Sequence, residues 1–248
     1  MQRVFLPRDS FAAERLVLPP DVAHYLTRVL RLRLGQEFVA LDGGGGEYRV
    51  RLVAGPPLHG EVIEQLPQRP AAKVALTLYQ GLPRGKRFPL IIQKASELGV
   101  ARIVPVLTAR AQVKVATGET ASKVDHWRAI AREAAEQCLR PSPPELMMPL
   151  GWGEALALWQ GSGEAGLLLD ETCAGSPDHG LGEALRRLGR PTSLAVFVGP
   201  EGGFDPGEAQ AAREAGLQPV SLGARVLRTE TAAVVVCALV MYEYGELG

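Results

Sequence analysis

The alternation of apolar and polar positions divides the chain into two regions of different periodicity. Up to about residue 70, short apolar runs alternate with turn residues, which is typical of a small β-barrel. One helix-like piece, residues 21–32, interrupts them, with Asp21 placed to cap it. Glycines 43–46 between two strand-like runs predict a hairpin. A linker is expected at residues 68–72.

From Lys73 onward, strand-like apolar runs alternate with amphipathic helix patterns. Residues 74–82 and 100–108 are near-continuous apolar runs of the kind that are buried on both faces of a sheet. Residues 88–99 and 124–139 carry apolar stripes at helical spacing. Such alternation predicts a mostly parallel sheet wrapped in helices, and hence an α/β fold class for this region.

Two loops near the carboxyl end each follow a strand-like run and open a helix. The first is GPEGGF, residues 199–204, followed by a predicted helix over 206–215. The second is LGARVLRTETA, residues 222–232, which follows a predicted strand over 219–222. Ligands of open α/β sheets bind at the carboxyl ends of the strands. The two loops therefore predict a site for a small cofactor.

The residue types in these loops narrow the ligand. GPEGGF is not the G-x-G-x-x-G fingerprint and no Walker lysine follows, which disfavours a dinucleotide or a P-loop site. Glu201 repels phosphate and suits a cationic or hydroxyl-bearing group. Leu222, Val226 and Leu227 are apolar and fit a flat ring such as adenine. An ordinary turn, and a cap of the last helix by Thr229, remain the structural alternatives.

The charge of the chain is zero in total but uneven along its length. Residues 73–140 carry a net charge of +7 and residues 141–248 a net charge of −8. A basic segment matters more to a polyanion than the total does. Arg28, Arg31 and Arg33 form a second basic cluster, either a phosphate-contacting patch or a solvated face.

Other classes of protein and site find little support in the residues. Cys138, Cys173 and Cys237 show no paired spacing, so neither a disulfide framework nor a zinc site is expected, and Cys138 is interpreted as a buried small hydrophobe. The four histidines are scattered, and no metal site is predicted. The amino terminus lacks a secretory apolar core, and the longest apolar run, residues 232–242, is too short to span a bilayer of about 30 Å. A cytoplasmic protein is expected.

Four blocks, in order, resemble the RsmE family of SPOUT-class methyltransferases, which act on small-subunit (16S) ribosomal RNA. They are IIQKASELGV (91–100), REAAEQCLRP (132–141), VGPEGGFDPGE (198–208) and LGARVLRTETA (222–232). The segment HYLTRVLRLRLGQ, residues 24–36, is similar to the PUA-like barrel of that family. One departure is visible at residues 108–114, TARAQVK, where the family usually reads T-E-R-S and only Arg110 remains.

The resemblance implies a fold, a cofactor and a reaction. The fold is a PUA-like RNA-binding β-barrel over residues 1–70 and a SPOUT methyltransferase domain with a deep carboxyl-terminal trefoil knot over residues 73–248. The cofactor is S-adenosyl-L-methionine (SAM), and the product is 3-methyluridine. The implied assembly is a homodimer, and the partner is small-subunit ribosomal RNA or the 30S particle. A SPOUT ribose 2′-O-methyltransferase and a non-catalytic RNA-binding protein of the same fold are the alternatives.

The resemblance also assigns residues to roles. Arg228 would stabilise the negative oxygen of a deprotonated uracil, and Glu230 would take the N3 proton or hold Arg228 in place. The cofactor would be held by Leu169, Gly199, Pro200, Glu201, Gly202, Gly203, Leu222, Gly223, Val226, Leu227 and Thr229. The RNA phosphates would be contacted by Arg28, Arg31, Arg33, Arg84, Lys86, Arg87, Lys94 and Arg110.

Overall fold

The structure is a computed structural model that describes residues 1–12, 15–68, 70, 72–111 and 120–248. The chain forms two compact units, Met1–Ala71 with Arg132–Pro143, and Ala72–Ala131 with Pro144–Gly248. The linker predicted at 68–72 includes residues 69 and 71, which lie outside the described ranges, as do residues 112–114 of the TARAQVK segment.

The first unit is built on a six-stranded sheet. Its strands are β1 (Arg3–Phe5), β2 (Phe11–Ala12), β3 (Arg15–Val17), β4 (Glu37–Leu41), β5 (Glu47–Val53) and β6 (His59–Gln65). The order is β1-β4-β5-β6-β3-β2, with β1 parallel to β4 and the other neighbours antiparallel. The predicted glycine hairpin joins β4 to β5. Asp42 Oδ1 shapes its tip by accepting the N–H groups of Gly44 and Gly46, both at 2.8 Å.

The helix predicted over residues 21–32 is shorter than expected. Helix α1 spans Pro20–His24 and continues as one π-helical turn over Tyr25–Val29. Pro19 occupies the N-cap and Asp21 lies in the first turn without capping the helix, so that part of the prediction was wrong. A proline at the first helical position presets the backbone angle, which starts the helix one residue early. Arg31 has a φ of +54°, and this left-handed conformation ends the helical segment.

The second unit is built on a parallel sheet of seven strands. They are β7 (Ala75–Gly81), β8 (Arg102–Leu107), β9 (Glu145–Leu146), β10 (Leu150–Gly151), β11 (Ala165–Leu169), β12 (Ser193–Val198) and β13 (Gln218–Val220). The order is β10-β8-β7-β12-β11-β13, and β9 pairs with β8. The predicted parallel sheet is thus confirmed.

Helices cover both faces of this sheet because alternate strand residues point to opposite sides. They are α2 (Arg87–Glu97), α3 (Thr120–Gln137), α4 (Trp152–Ser162), α5 (Leu181–Leu188), α6 (Pro206–Glu214) and α7 (Thr229–Glu243). Helices α2, α3, α5 and α7 pack over Leu76, Leu78 and Val196, whereas α4 and α6 pack over Tyr79 and Phe197. The chain therefore crosses back from β13, at the sheet edge, to the centre of the sheet in α7.

The cysteines differ from expectation. Cys138 is half-buried rather than buried, because helix α3 ends at Gln137 and the residue lies just beyond it. Cys237 in α7 is the fully buried cysteine, and burial raises the pKa of its thiol to about 12. No helix within the described ranges combines the length and apolarity that crossing a bilayer requires.

Candidate functional site

A cavity of about 640 Å³ opens at the carboxyl ends of β11, β12 and β13. Most of its walls come from three segments, residues 169–174, 198–206 and 220–232, and the lining is completed by Arg87, Arg110, Ala209 and Arg213. All cavity-lining residues predicted from the sequence lie here except Gly202, whose carbonyl is held at the rim by Arg110. The volume is within the range of about 300–1,000 Å³ that is usual for small-molecule sites.

The first predicted loop, residues 199–203, is a tight backbone turn. Gly203 has a φ of +68°, and its N–H donates to the Pro200 carbonyl at 3.0 Å. A Cβ on Gly199 would lie 3.1 Å from the Gly203 backbone, a tight contact that would push the two ends of the turn apart by a few tenths of an ångström. Asp205 then caps helix α6 by accepting the N–H of Gly207 at 3.0 Å. The helix thereby anchors the loop.

The second predicted loop, residues 222–229, lines the opposite wall. Gly223 has a φ of +115° and donates its N–H to Ser221 Oγ at 3.1 Å. Leu222 and Leu227 are half-buried against the core, whereas Val226 is 71% exposed. The loop thus presents apolar side chains to the cavity, as the sequence predicted.

Thr229, which the resemblance assigns to cofactor binding, lines the cavity but does not cap helix α7. Arg228 occupies the N-cap of α7 and Thr229 is the first helical residue, so the capping alternative was wrong. The Thr229 hydroxyl instead donates to the Gly199 carbonyl at 2.6 Å. An N-cap residue accepts from backbone N–H groups, whereas this hydroxyl points across the site to the other loop.

The charged residues of the site form one network. Glu201 Oε1 accepts the Arg84 N–H and Arg87 Nη1, both at 2.9 Å. Arg87 Nε lies 3.5 Å from Glu230 Oε2. The partner of Glu230 is therefore Arg87 and not Arg228, contrary to one of the two roles expected for Glu230. The guanidinium of Arg228 is exposed and pairs with no carboxylate among the residues that the structure describes.

The third wall, residues 170–174, was missed by sequence reasoning. Asp170 is buried and accepts the Thr172 N–H at 2.9 Å, the Thr172 hydroxyl at 2.7 Å and Arg213 Nη1 at 2.7 Å. Burial, together with the charge of Asp170, raises the pKa of the Cys173 thiol, so the thiol stays protonated at neutral pH. The signal for this wall was the D-x-T turn directly after a buried strand.

The residues predicted to contact RNA fall into two groups. Arg28, Arg31 and Arg33 are exposed in the first unit, and Arg84 and Lys86 are exposed before α2. The other three bind protein groups. Arg87 pairs with Glu201 and Glu230, Lys94 Nζ lies 2.8 Å from Glu97, and Arg110 Nη1 donates to the Gly202 carbonyl at 2.8 Å.

Two family models match the chain. An RNA methyltransferase domain matches residues 70–241, and an RNA methyltransferase PUA domain matches residues 18–63. The chain belongs to the RsmE family of RNA methyltransferases. The PUA-like sheet and the parallel SPOUT-like sheet described above are the two parts of this family's fold.

Curated relatives and solved structures of the RsmE family cover nearly the whole chain. Ribosomal RNA small subunit methyltransferase E of Synechocystis sp. is 37% identical over 95% of the chain and 76% of the relative. The protein of the same name from Bacillus subtilis is 27% identical over 98% of the chain and 97% of the relative. The crystal structure of this enzyme from Neisseria gonorrhoeae, bound to S-adenosyl methionine, has a TM-score of 0.84 and 30% identity over 98% and 97% of the two chains.

Proposed function

We propose that this RsmE-family protein uses SAM to methylate N3 of a uridine in small-subunit ribosomal RNA. The observation that carries the proposal is the cavity at the carboxyl edge of the sheet, where the two predicted loops meet in a chain of this family. The relative from Neisseria gonorrhoeae, which is 30% identical, was crystallised with S-adenosyl methionine.

The chemistry of the cavity fits SAM. Leu169, Leu222 and Leu227 supply apolar area for the adenine ring, and Val226 lies beside them at the rim. The turn over residues 199–203 brings backbone polar groups to the wall, and Gly203 has a φ of +68°, a left-handed conformation in which a side chain would be strained. Among the described residues, no cluster of His, Cys, Asp and Glu side chains could hold a metal ion.

SAM supplies an electrophilic methyl group, so the protein has to orient the acceptor and manage one proton. Uracil N3 carries a proton that must leave before the nitrogen can act as the nucleophile. Glu230 Oε2 is buried, makes no hydrogen bond among the described residues and lies 3.5 Å from Arg87 Nε, so this carboxylate oxygen has a lone pair available to accept that proton. The exposed guanidinium of Arg228 is free to stabilise the charge that develops on the uracil oxygen.

The exposed basic residues of each unit suit an RNA partner. In the first unit these are Arg28, Arg31 and Arg33, and in the second unit they are Arg84 and Lys86. Their contacts would be to phosphates, which gives affinity and register rather than sequence readout. Arg87, Lys94 and Arg110 are better assigned to the protein contacts that they make.

We also propose that the protein is a homodimer. Helix α7 is apolar nearly all round, and Leu239 and Tyr242 remain exposed on it. Leu90 is exposed on α2, the helix that packs against α7. A second copy packed against α7 would bury Leu239 and Tyr242. The return of the chain from the sheet edge to its centre in α7 agrees with the trefoil knot, which stays a prediction.

Methylation of purified RNA tests the proposed reaction. The purified protein is incubated with labelled SAM and either 16S ribosomal RNA or 30S particles from cells that lack the endogenous activity. The RNA is then digested to nucleosides, which are separated by chromatography and identified by mass spectrometry, and the modified position is mapped. We expect 3-methyluridine. A 2′-O-methylated nucleoside would show that the methyl group goes to the ribose and not to the base. RNA binding without methyl transfer would favour a non-catalytic role.

A further inference from the structure

Gln80 lies behind the cavity and touches both of its principal loops. It is the penultimate residue of β7 and has 0% of its surface exposed. Its Nε2 atom lies 2.8 Å from the Gly81 carbonyl, 3.0 Å from Thr229 Oγ1 and 3.3 Å from the Gly199 carbonyl. Gly199 begins the first loop, and Thr229 ends the second. No sequence motif singles out this residue.

The hydrogen bonds run in one direction. The Thr229 hydroxyl donates its only hydrogen to the Gly199 carbonyl at 2.6 Å, so it must accept from Gln80 Nε2. The result is a relay from the Gln80 amide through the Thr229 hydroxyl to the Gly199 carbonyl. Carbonyl oxygens surround the amide nitrogen, so this position requires a donor.

The backbone of Gly81, next to Gln80, packs closely against Pro200 of the first loop. A Cβ on Gly81 would lie 2.6 Å from Pro200 Cδ and 2.7 Å from Pro200 N. The end of β7 is therefore pressed against the start of the first loop. Gln80 and Gly81 therefore contact residues 199 and 200 directly and support the start of the first loop.

The Gln80 side chain also has a feature that lowers the stability of the fold. Gln80 Oε1 is buried and finds no donor among the residues that the structure describes. A buried acceptor without a partner costs stability, which an apolar side chain of the same shape would avoid. What glutamine provides in return is the set of hydrogen bonds from Nε2 to Gly199 and Thr229.

We infer that Gln80 is a positioning residue that fixes the spacing of the two loops and thereby sets the affinity for SAM. This inference rests on the proposed function, because it takes SAM as the ligand of the cavity. Gln80 itself is absent from the cavity lining, so it acts through Gly199 and Thr229, which line it.

The first test replaces the amide by side chains of similar size. Gln80→Met removes both donors, and we expect the dissociation constant for SAM, measured by calorimetry, to rise about 10- to 30-fold, the effect of removing one or two hydrogen bonds. The KM for RNA should stay within twofold. Ser96→Ala is the control, because Ser96 is also fully buried and donates to the Ile92 carbonyl at 2.7 Å within α2. This control should lower the melting temperature without changing SAM affinity.

A second variant gives a readout that a merely structural role would not produce. Gln80→Glu keeps the shape, and its protonated carboxyl can donate one hydrogen bond, whereas the carboxylate would face carbonyl oxygens. SAM affinity of this variant should therefore fall as the pH rises from 5.5 to 9. The ionisable groups of the surrounding elements, Glu201, Arg228 and Glu230, are present in the wild type too, so the wild-type curve measures their contribution.

Thr229 keeps the inference falsifiable if the Gln80 variants do not fold. Thr229→Val interrupts the relay, and Thr229→Ser retains it, so only the valine variant should bind SAM weakly. In the double variant Gln80→Met, Thr229→Val, the decrease in affinity should be smaller than the product of the two single decreases, because both substitutions remove one relay. SAM affinity within twofold of wild type in Gln80→Met, or in Thr229→Val where the former does not fold, would overturn the inference. A wild type that does not bind SAM would instead overturn the proposed function.

Discussion

Arg87 Nη1 lies 2.9 Å from Glu201 Oε1, and this ion pair ties the start of helix α2 to the first cavity loop. The same guanidinium reaches Glu230 of α7, with Nε 3.5 Å from Oε2. Arg87 therefore joins three elements that meet at the cavity. Its position after a basic loop predicts a phosphate contact, which stays a prediction, and Glu201 and Glu230 are the partners that the structure shows.

Replacing Arg87 should weaken SAM binding more than RNA binding. We expect Arg87→Gln to raise the KM for SAM about three- to fivefold, because both partners are partly exposed and such a pair is worth up to about 1 kcal/mol. Arg102→Gln is the matched control, since Arg102 Nε lies 2.8 Å from Glu145 at the amino end of β8, away from the cavity. Steady-state kinetics with each substrate varied checks this. A rise in the KM for RNA alone would restore the phosphate role.

The sequence predicted the parts of the site that depend on local pattern. The glycine turn at 199–203 and the apolar loop at 222–227 were recognisable because both depend only on the residue types within the loop itself. The contacts of Gln80 and Arg87 and the Asp170–Arg213 ion pair were not, because each depends on strand order. Gln80 meets Gly199 because β7 pairs with β12, in the register that sets Val198 opposite Gln80.

The same distinction explains the errors in the fold. Thr229 has the residue type of a helix cap, but it is the first helical residue, and its hydroxyl donates to the Gly199 carbonyl and accepts from Gln80 Nε2. The helix of the first unit ends early because Arg31 adopts a left-handed conformation, which nothing in the residue type requires. Tertiary contacts outweigh local preference at such positions.

Glu136 offers a pH-dependent test of the first unit. Its Oε1 accepts the Phe5 N–H at 2.8 Å. Burial raises the pKa of this carboxyl above its ordinary value, although the Phe5 bond opposes the shift. A raised pKa in the folded state means that the stabilisation is complete below the unfolded pKa of about 4.3 and is lost as the pH rises through the folded value.

Glu136→Gln should remove this pH dependence, because the amide oxygen still accepts the Phe5 N–H and carries no charge. Relative to wild type, the variant should gain stability as the pH rises from 4 to 7. Urea unfolding at several pH values measures this difference. Equal pH dependence of the two proteins would contradict the burial cost, and a variant that is less stable at pH 7 would show that the charge itself stabilises the unit.

The exposed arginines of the first unit should contribute to RNA affinity and to its salt dependence. For Arg28→Gln, Arg33→Gln we expect weaker RNA binding, with the slope of log affinity against log salt reduced by about 0.7 to 0.9 for each arginine that binds a phosphate in the wild type. SAM affinity should not change. Arg186→Gln, Arg187→Gln removes the same charge from α5, where both residues contact Glu183. Equal effects of the two double variants would indicate a non-specific charge effect.

A charge on the exposed face of α7 should separate the two copies of the proposed dimer. Tyr242 is 66% exposed, and Leu239 is exposed beside it. Burying an unpaired carboxylate costs several kcal/mol, so Tyr242→Glu should elute as a monomer in size-exclusion chromatography with light scattering. Tyr242→Phe should remain a dimer. A wild type that is monomeric at micromolar concentration would contradict the proposal directly.

Arg228 should affect the chemical step and leave SAM binding unchanged. Its guanidinium is exposed at the start of α7 and pairs with no carboxylate within the described part of the chain, so truncating it breaks no ion pair there. We expect Arg228→Ala to lower kcat about 10²- to 10³-fold, the usual effect of removing one group that stabilises developing charge. Arg228→Lys keeps the positive charge but lacks the planar guanidinium group. Its kcat should therefore lie between those of the wild type and Arg228→Ala. Calorimetry should give a SAM dissociation constant within twofold of wild type for both variants. A large drop in SAM affinity with kcat preserved would instead make Arg228 a cofactor-binding residue and leave the uracil oxygen to another group.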